Sequence, residues 1–224
     1  MEADVTEQVR AAVAKVCHDL ERLGLVVGTA GNVSVRVGER FAVTGTGVVL
    51  GRASAADVVV VDGDGALVEG RIEPSSETAL HLYAYAGGDV GAVVHTHSPA
   101  ATAVSVITDE LPCVHYQQLL LGGATPVVPF AVFGSRSLAT SVSRALVGRK
   151  AVILAGHGAV TVGRDLDEAV QNCLLLEWAS DLYLRAASAG TPRSLTPAQQ
   201  GAVIEAALRS GYGSRKRAGT GRGS

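Results

Sequence analysis

The sequence is short of cysteine, aromatic residues and charge, and each shortage excludes a class of protein. Its 224 residues include three cysteines, too few for a disulfide scaffold. Aromatic residues make up 4% and charged residues 18%, whereas hydrophobic residues make up 47%. That hydrophobic content excludes a disordered chain. The core must therefore consist mainly of alanine, valine and leucine, with 27 glycines available for turns and close packing.

A strong charge of either sign and long apolar runs are also missing. The 19 basic and 21 acidic residues give a formal charge of −2, so nothing indicates nucleic acid or an anionic membrane as a partner. No apolar run approaches the roughly 20 residues that a membrane helix requires. The first ten residues, MEADVTEQVR, lack the pattern of a secretory signal. With reduced cysteines, these features predict a cytoplasmic protein.

The length suits a single domain, for which we predict residues 1–212, followed by a basic tail over residues 213–224. The tail, GSRKRAGTGRGS, carries four positive charges and has the composition of a disordered, solvated segment. Without those four charges the chain has 15 basic and 21 acidic residues, a formal charge of −6. A bound phosphate would then have to be held mainly by local N–H groups and hydroxyls.

Alternating and helical spacing of apolar residues predicts an α/β domain. Valines alternate over residues 33–43 between glycine-rich loops, which is typical of a β-hairpin. Short apolar runs predict further strands over residues 58–61, 91–97, 127–128 and 151–154. Helical spacing predicts helices over residues 4–24, 99–106, 135–147, 166–187 and beyond Pro197. This mixture favours one domain with a mixed, largely antiparallel central sheet flanked by helices.

A further helix is predicted to open at Pro74-Ser75-Ser76 and to end near Gly87, with either serine as its N-cap. Glu77 then falls in the first turn, where the helix dipole favours a carboxylate. An ordinary first-turn glutamate is one interpretation of this position. The functional alternative is a metal ligand or a general base.

Three histidines have the spacing of a metal site. His95 and His97 are two apart at the end of an apolar strand, so both imidazoles can lie on one face. His157 follows another apolar strand and is flanked by glycines. Three neutral imidazoles suit a divalent metal and leave an open position for a substrate. Each histidine on its own is more simply interpreted as a surface or hydrogen-bonded residue.

Three short segments offer backbone N–H groups and small polar side chains, as phosphate sites do. They are Gly28 to Asn32, Thr44 to Gly47, and the serine pair Ser75-Ser76. None fits the P-loop or the dinucleotide-binding fingerprint. Each alone is a plain turn, but beside a metal site the three together indicate a small phosphorylated substrate.

The ordered set of these motifs resembles the class II aldolase/adducin family, most closely its branch that acts on fuculose 1-phosphate. The matching segments, in order, are GLVVGTAGNVSVR, VTGTGV, EPSSE, AVVHTHSPAATAVSV, VHY, FAVFGSR and AGHGAV. They span roughly residues 5–212. The resemblance implies a metal-dependent aldolase that cleaves a ketose 1-phosphate, such as fuculose 1-phosphate or a 5-deoxypentulose phosphate, to dihydroxyacetone phosphate and an aldehyde.

The resemblance also implies roles for individual residues. His95, His97 and His157 would bind Zn²⁺, or Mn²⁺ or another divalent metal, and Glu77 would act as acid/base and approach the metal. Tyr116 would be the proton donor in a site shared between subunits, so we expect a homotetramer. The family's phosphate-binding positions, and a C-terminal tyrosine that closes over the substrate, correspond to Thr29, Asn32, Thr46, Gly47, Ser75, Ser76 and Tyr212.

The chemistry fits these residue types. Cleaving a ketose phosphate between C3 and C4 leaves negative charge on the ketone half, which a metal acting as a Lewis acid stabilises. Glu77 would exchange the proton on C3, the carbon of the ketone half at which the bond breaks. Tyr116 would take the C4 hydroxyl proton. No lysine is needed for a Schiff base. The lysines are Lys15, Lys150 and Lys216, all outside the motifs.

Other members of the family leave alternatives open. A ribulose-phosphate 4-epimerase also reverses an aldol step, but typically has aspartate where this chain has Glu77. A methylthioribulose-1-phosphate dehydratase shares the fold and the metal histidines. Adducin-like members are non-catalytic interaction modules and lack those histidines, which are present here.

Overall fold

The computed structural model describes residues 2–210, with the backbone alone for residues 2–6. The predicted tail and Tyr212 lie outside the described residues. The strands are β1 (Asn32–Val37), β2 (Arg40–Thr44), β3 (Val58–Val61), β4 (Leu67–Glu69), β5 (Ala92–Thr96), β6 (Glu110–Leu111), β7 (Thr125–Val128), β8 (Ala151–Leu154) and β9 (Gly158–Gly163). The helices are α1 (Glu2–Arg22), α2 (Thr78–Tyr85), α3 (Pro99–Ser105), α4 (Arg136–Ala145), α5 (Leu166–Ala189) and α6 (Pro197–Ser210).

The strands form one mixed sheet in the order β4-β3-β2-β1-β5-β9-β8-β7-β6. Within the described residues β7 and β8 pair in parallel, and the other neighbouring strands pair antiparallel. Helices pack on the sheet. The prediction of a mixed, largely antiparallel sheet with flanking helices is therefore confirmed.

Successive residues of the central strand β5 point to opposite faces of the sheet, and each face has its own core. Val93 packs in the cluster that includes Leu80 of α2 and Leu138 of α4. Val94 packs in the cluster that includes Val13 and Cys17 of α1. By the same alternation, His95 faces the α2 side of the sheet.

Most predicted elements are present, with three differences. Strands β6 and β9 were not predicted, although the six residues of β9, Gly158–Gly163, are all buried. The prediction of Ser75 or Ser76 as the N-cap of α2 was wrong. The helix begins at Thr78 with Glu77 at the N-cap, because the preceding residues form a turn in which Ser75 accepts a hydrogen bond from the Glu77 N–H.

Ser98 and Ser135 occupy the N-cap positions of α3 and α4. The Ser135 hydroxyl accepts a hydrogen bond from the Leu138 N–H, which satisfies one donor of the first turn. None of the helices described is long and apolar enough to cross a membrane.

Candidate active site

Two adjacent strand ends bring the three predicted histidines together. His95 lies in β5, and His97 follows the end of that strand. His157 lies in the tight turn between β8 and β9, and β9 pairs directly with β5. The centres of the three imidazole rings are 4.7–5.0 Å apart. The clustering therefore depends on β9, the strand that the sequence did not reveal.

A carboxylate joins the histidines from the helix layer that packs on this face of the sheet. Glu77, at the N-terminus of α2, has one oxygen (Oε2) 3.2 Å from Nε2 of His95 and the other (Oε1) 3.6 Å from Nε2 of His157. One potential ligand atom from each of Glu77, His95, His97 and His157 lies within 4.8 Å of the others. A carboxylate and three imidazoles at this spacing are a suitable ligand set for a divalent metal.

Two buried atoms of this cluster require a positive charge. Nδ1 of His95 donates to the Ala159 carbonyl oxygen at 2.9 Å. In a neutral imidazole Nε2 then carries a lone pair that faces the carboxylate. Among the described side chains, Nε2 of His95 and Oε1 of Glu77 are the buried polar atoms without a hydrogen-bond partner. Because the lone pair of His95 Nε2 and the carboxylate oxygen Oε2, 3.2 Å away, would repel each other, a proton or a metal cation has to lie between them. The donor set fits a divalent metal.

The electrostatics of the cluster favour an ionised carboxylate at Glu77 and neutral imidazoles at His97 and His157. Burial raises the pKa of Glu77, but the neighbouring His95, the amide of Asn32 and His157 outweigh it and lower that pKa to about 2. Burial and the other two histidines lower the pKa of His97 to about 4. Burial and His95 likewise lower the pKa of His157. These are the protonation states that metal binding requires.

A cavity of about 450 Å³ opens beside the cluster and contains Glu77, His97 and His157 in its wall. The predicted phosphate-binding residues line the same cavity, apart from Tyr212, which lies outside the described residues. They are Thr29, Asn32, Thr46, Gly47, Ser75 and Ser76. No lysine or arginine is among the described residues that line it. The structure thus brings together the predicted metal and phosphate positions around one space.

The loop before β1 can pass close to the metal cluster because Gly31 has no side chain. Gly31 has φ +89°, and a Cβ there would lie 2.9 Å from the His95 carbonyl oxygen. Asn32, the next residue, pairs with His95 across β1 and β5. This pairing explains how a glycine-rich loop and the strand that contains His95 come to form one site.

An apolar rim completes the cavity and was not given a role from the sequence. Phe130, Val132 and Phe133 line the opening and are 73%, 61% and 65% exposed. They lie in the FAVFGSR segment, where two large aromatic residues in a chain that has few offered a signal. The cavity therefore has a polar inner wall and an apolar entrance.

Tyr116 does not reach this cavity within its own chain. It begins the short helical turn Tyr116–Leu121 and lies 4.5 Å, ring centre to ring centre, from His115. Its exposed ring lines a separate depression with Val203, Ala206 and Ala207 of α6. A role for Tyr116 in the candidate site therefore requires a second chain.

Comparisons with known proteins agree with this geometry. Residues 11–184 match the Class II Aldolase and Adducin N-terminal domain. The L-fuculose phosphate aldolase of Escherichia coli (strain K12) is 36% identical over 194 residues, covering 86% of this chain and 90% of that protein. The 5-methylthioribulose-1-phosphate/5-deoxyribulose-1-phosphate aldolase of Rhodospirillum rubrum is 33% identical over 199 residues, covering 88% and 90%.

A solved structure of an L-fuculose 1-phosphate aldolase superposes with a TM-score of 0.85 at 31% identity, covering 89% of this chain and 95% of that one. Fold, cluster and cavity thus define an enzyme of the metal-dependent lyase class. The chain belongs to the class II aldolase and adducin family. The resemblance inferred from the ordered motifs is confirmed.

Proposed function

We propose that this protein is a metal-dependent aldolase that cleaves a ketose 1-phosphate to dihydroxyacetone phosphate and an aldehyde. The observation that carries the proposal is the position of Glu77. Its carboxylate lies among three imidazoles on one side and faces a cavity lined by small polar loops on the other. An aldolase needs that combination of a metal, a proton acceptor and an anion site within one space.

In this proposal His95, His97 and His157 hold a divalent cation, with Glu77 able to approach it. Zn²⁺ suits three imidazole ligands, and Mn²⁺ is an alternative. When bound, the cation supplies Lewis-acid stabilisation of the negative charge that develops on the ketone half of the substrate. Nε2 of His95 is buried, faces the Glu77 carboxylate and has no hydrogen-bond partner within the described part of the chain, which supports this assignment.

Glu77 is the acid/base that exchanges the proton at C3 of the substrate. Asn32 holds Oε2 with a hydrogen bond of 3.0 Å, whereas Oε1 has no hydrogen-bond donor among the described residues. Oε1 is therefore the atom that takes up and returns the proton. A carboxylate fixed at one oxygen and open at the other keeps its orientation through that exchange.

The substrate phosphate binds through local dipoles. Thr29, Thr46, Gly47 and the Ser75-Ser76 pair offer hydroxyls and backbone N–H groups around the cavity, and Asn32 adds an amide. The absence of lysine and arginine from the described lining agrees with an anion held by many neutral donors. Neither of the lysines that the structure describes, Lys15 and Lys150, lines the cavity, which favours metal catalysis over imine catalysis.

We further propose that Tyr116, from a neighbouring subunit, handles the C4 hydroxyl proton and that the enzyme is a homotetramer. Tyr116 is 39% exposed and lies away from the cavity of its own chain. A tyrosine from another chain can complete the site only in an oligomer. By its place in the sequence, Tyr212 corresponds to the C-terminal tyrosine that closes over the substrate in the family. The three buried, free cysteines support a cytoplasmic location.

The test is a coupled assay for dihydroxyacetone phosphate with fuculose 1-phosphate and 5-deoxypentulose 1-phosphates. We expect release of dihydroxyacetone phosphate from at least one of them, and the preferred sugar identifies the aldehyde half. Conversion of ribulose phosphate to its C4 epimer would instead identify an epimerase. Loss of water from methylthioribulose 1-phosphate without cleavage would identify a dehydratase, and either result would overturn the proposal.

A further inference from the structure

A chain of five polar side chains runs from the candidate active site into the interior. Asn32 donates from Nδ2 to Oε2 of Glu77 at 3.0 Å, and its Oδ1 lies 2.5 Å from Nε2 of His81. On the other side of the imidazole, Nδ1 of His81 lies 2.7 Å from the Ser34 hydroxyl. That hydroxyl lies 2.7 Å from the hydroxyl of Tyr85.

Regular secondary structure places these five groups in register. Asn32 and Ser34 are two apart in β1, so their side chains share the face that packs on α2. Glu77, His81 and Tyr85 are spaced four apart along α2, so they share the face that packs on the sheet. Strand and helix thus present alternate members of one hydrogen-bonded chain.

The hydrogen bonds can run in only one direction. A carboxylate only accepts, so the NH₂ group of Asn32 faces Glu77 and its carbonyl oxygen faces His81. That carbonyl requires a proton on Nε2 of His81. In the neutral ring Nδ1 then accepts from the Ser34 hydroxyl, which in turn accepts from Tyr85.

The interior keeps the imidazole neutral. Ser34, His81 and Tyr85 are 0%, 1% and 3% exposed, and none of them lines the cavity. Burial, with a smaller contribution from His95, lowers the pKa of His81 to about 3. Only the neutral form, with its proton on Nε2, satisfies all the groups around it.

We propose that His81, with its tautomer fixed by Ser34 and Tyr85, is the positioning residue that makes the Asn32 amide donate to Glu77. With the opposite tautomer, the Nε2 lone pair would face the Asn32 carbonyl oxygen. The amide would then turn over and point that oxygen at the Glu77 carboxylate, which would lose its donor and its fixed orientation. The catalytic part of this inference rests on the proposed role of Glu77 as the acid/base.

The hydrogen-bond arrangement is tested without any turnover measurement. Imidazole ¹⁵N chemical shifts of the ¹⁵N-histidine-labelled protein are measured at neutral pH, with the His81 signals assigned from their loss in His81→Gln. We expect Nε2 protonated and Nδ1 unprotonated. A proton on Nδ1 at neutral pH, or on both nitrogens, would overturn the proposal.

The functional consequence is tested with His81→Leu and His81→Gln in the metal-loaded enzyme. Leucine removes the donor to Asn32, so kcat should fall about 10- to 100-fold while KM and metal content change by less than about twofold. Glutamine offers an N–H group and should recover most of kcat. Wild-type kcat in His81→Leu, or the same loss of kcat in both variants, would contradict a positioning role.

The control is His18→Leu, which places leucine at an exposed histidine of α1, as His81→Leu does at the buried one. It should leave kcat unchanged. A wild-type enzyme that cleaves no ketose phosphate would defeat the proposed function. The tautomer measurement would still decide the hydrogen-bond chain, so the two failures are distinguishable.

Discussion

At the scale of single residues, the site is marked by two buried atoms that have no hydrogen-bond partner among the described residues. Two of the polar groups around Glu77 are held by hydrogen bonds: Nδ1 of His95 by a carbonyl oxygen, and the amide of Asn32 by Oε2 and His81. What stays without a hydrogen bond is Nε2 of His95 and Oε1 of Glu77. Two buried polar atoms without partners destabilise the folded chain unless a cation binds them. Their presence therefore indicates a functional site and not a contribution to stability.

Exchange of Glu77 for glutamine separates proton transfer from metal binding. Glu77→Gln keeps the size and the Asn32 contact but cannot accept a proton, so kcat should fall about 100- to 10,000-fold while bound metal is retained. Metal analysis and the dihydroxyacetone phosphate assay check both parts. The control Glu73→Gln alters an exposed carboxylate of the same segment and should have no effect. Unchanged turnover in Glu77→Gln would refute its role.

Removal of one imidazole tests the ligand assignment. His95→Ala takes away a fully buried donor whose Nε2 points into the cluster, so metal content should fall well below the roughly one ion per chain expected of the wild type. Elemental analysis of the purified variants gives the answer. His18→Ala, remote from the cluster, should retain its metal. A full complement of metal in His95→Ala would remove His95 from the ligand set.

The residues of the site were largely predictable from sequence, and the family resemblance implied that they gather at one metal. The strand pairing that brings them together was not predictable. His95 and His97 could be paired because a strand repeats every two residues. His157 joins them through pairing of β5 with β9, a contact between residues more than sixty positions apart. The link from Glu77 through Asn32 to His81 was also out of reach, because it crosses from a helix to a strand.

At the scale of elements, the site is built where β9 returns beside β5. Strand β9 escaped prediction because its residues, GAVTVG, have a glycine at each end and follow a glycine-containing turn, which is typical of a loop. The glycine at its start has a packing reason. A Cβ on Gly158 would overlap the Thr96 carbonyl oxygen. The strand therefore begins at a glycine because the two backbones come into contact there.

Filling that contact should damage both the fold and the metal site. Gly158→Ala pushes β9 away from the end of β5, so the free energy of unfolding should drop by about 1–3 kcal/mol and metal content should fall. Denaturant unfolding and metal analysis measure the two effects. Gly201→Ala on α6, where a Cβ meets nothing within 4 Å, is the matched control and should not destabilise. Equal stabilities for the two variants would contradict the packing argument.

At the scale of the whole molecule, one chain brings together the cluster of Glu77 and three histidines and the cavity beside it, but Tyr116 of the same chain lies away from that cavity. Tyr116 lies beside α6, and its neighbour His115 packs against Trp178. Several apolar side chains are exposed on this side, including Leu208 at 80%. Such exposure agrees with a surface that another subunit covers. For the proposed homotetramer we expect a native mass near that of four chains of 22.8 kDa.

Mixed tetramers test whether the site is shared between subunits. Glu77→Gln and Tyr116→Phe should each lose most turnover, and Tyr116→Phe should keep its affinity for inorganic phosphate because the phosphate loops are intact. Unfolding and refolding the two inactive variants together should restore part of the activity, since some sites would combine an intact Glu77 with an intact Tyr116. Absence of any recovery, or full activity in a monomer, would contradict a shared site.

The central claim, that the cluster of Glu77 and three histidines performs metal-dependent aldol cleavage, is tested most directly by removing and restoring the metal. Dihydroxyacetone phosphate release is measured for the chelator-treated enzyme and again during titration with Zn²⁺ or Mn²⁺. We predict loss of activity on chelation and recovery that is complete near one equivalent per chain. Full cleavage activity in protein shown to contain no divalent metal would contradict the account.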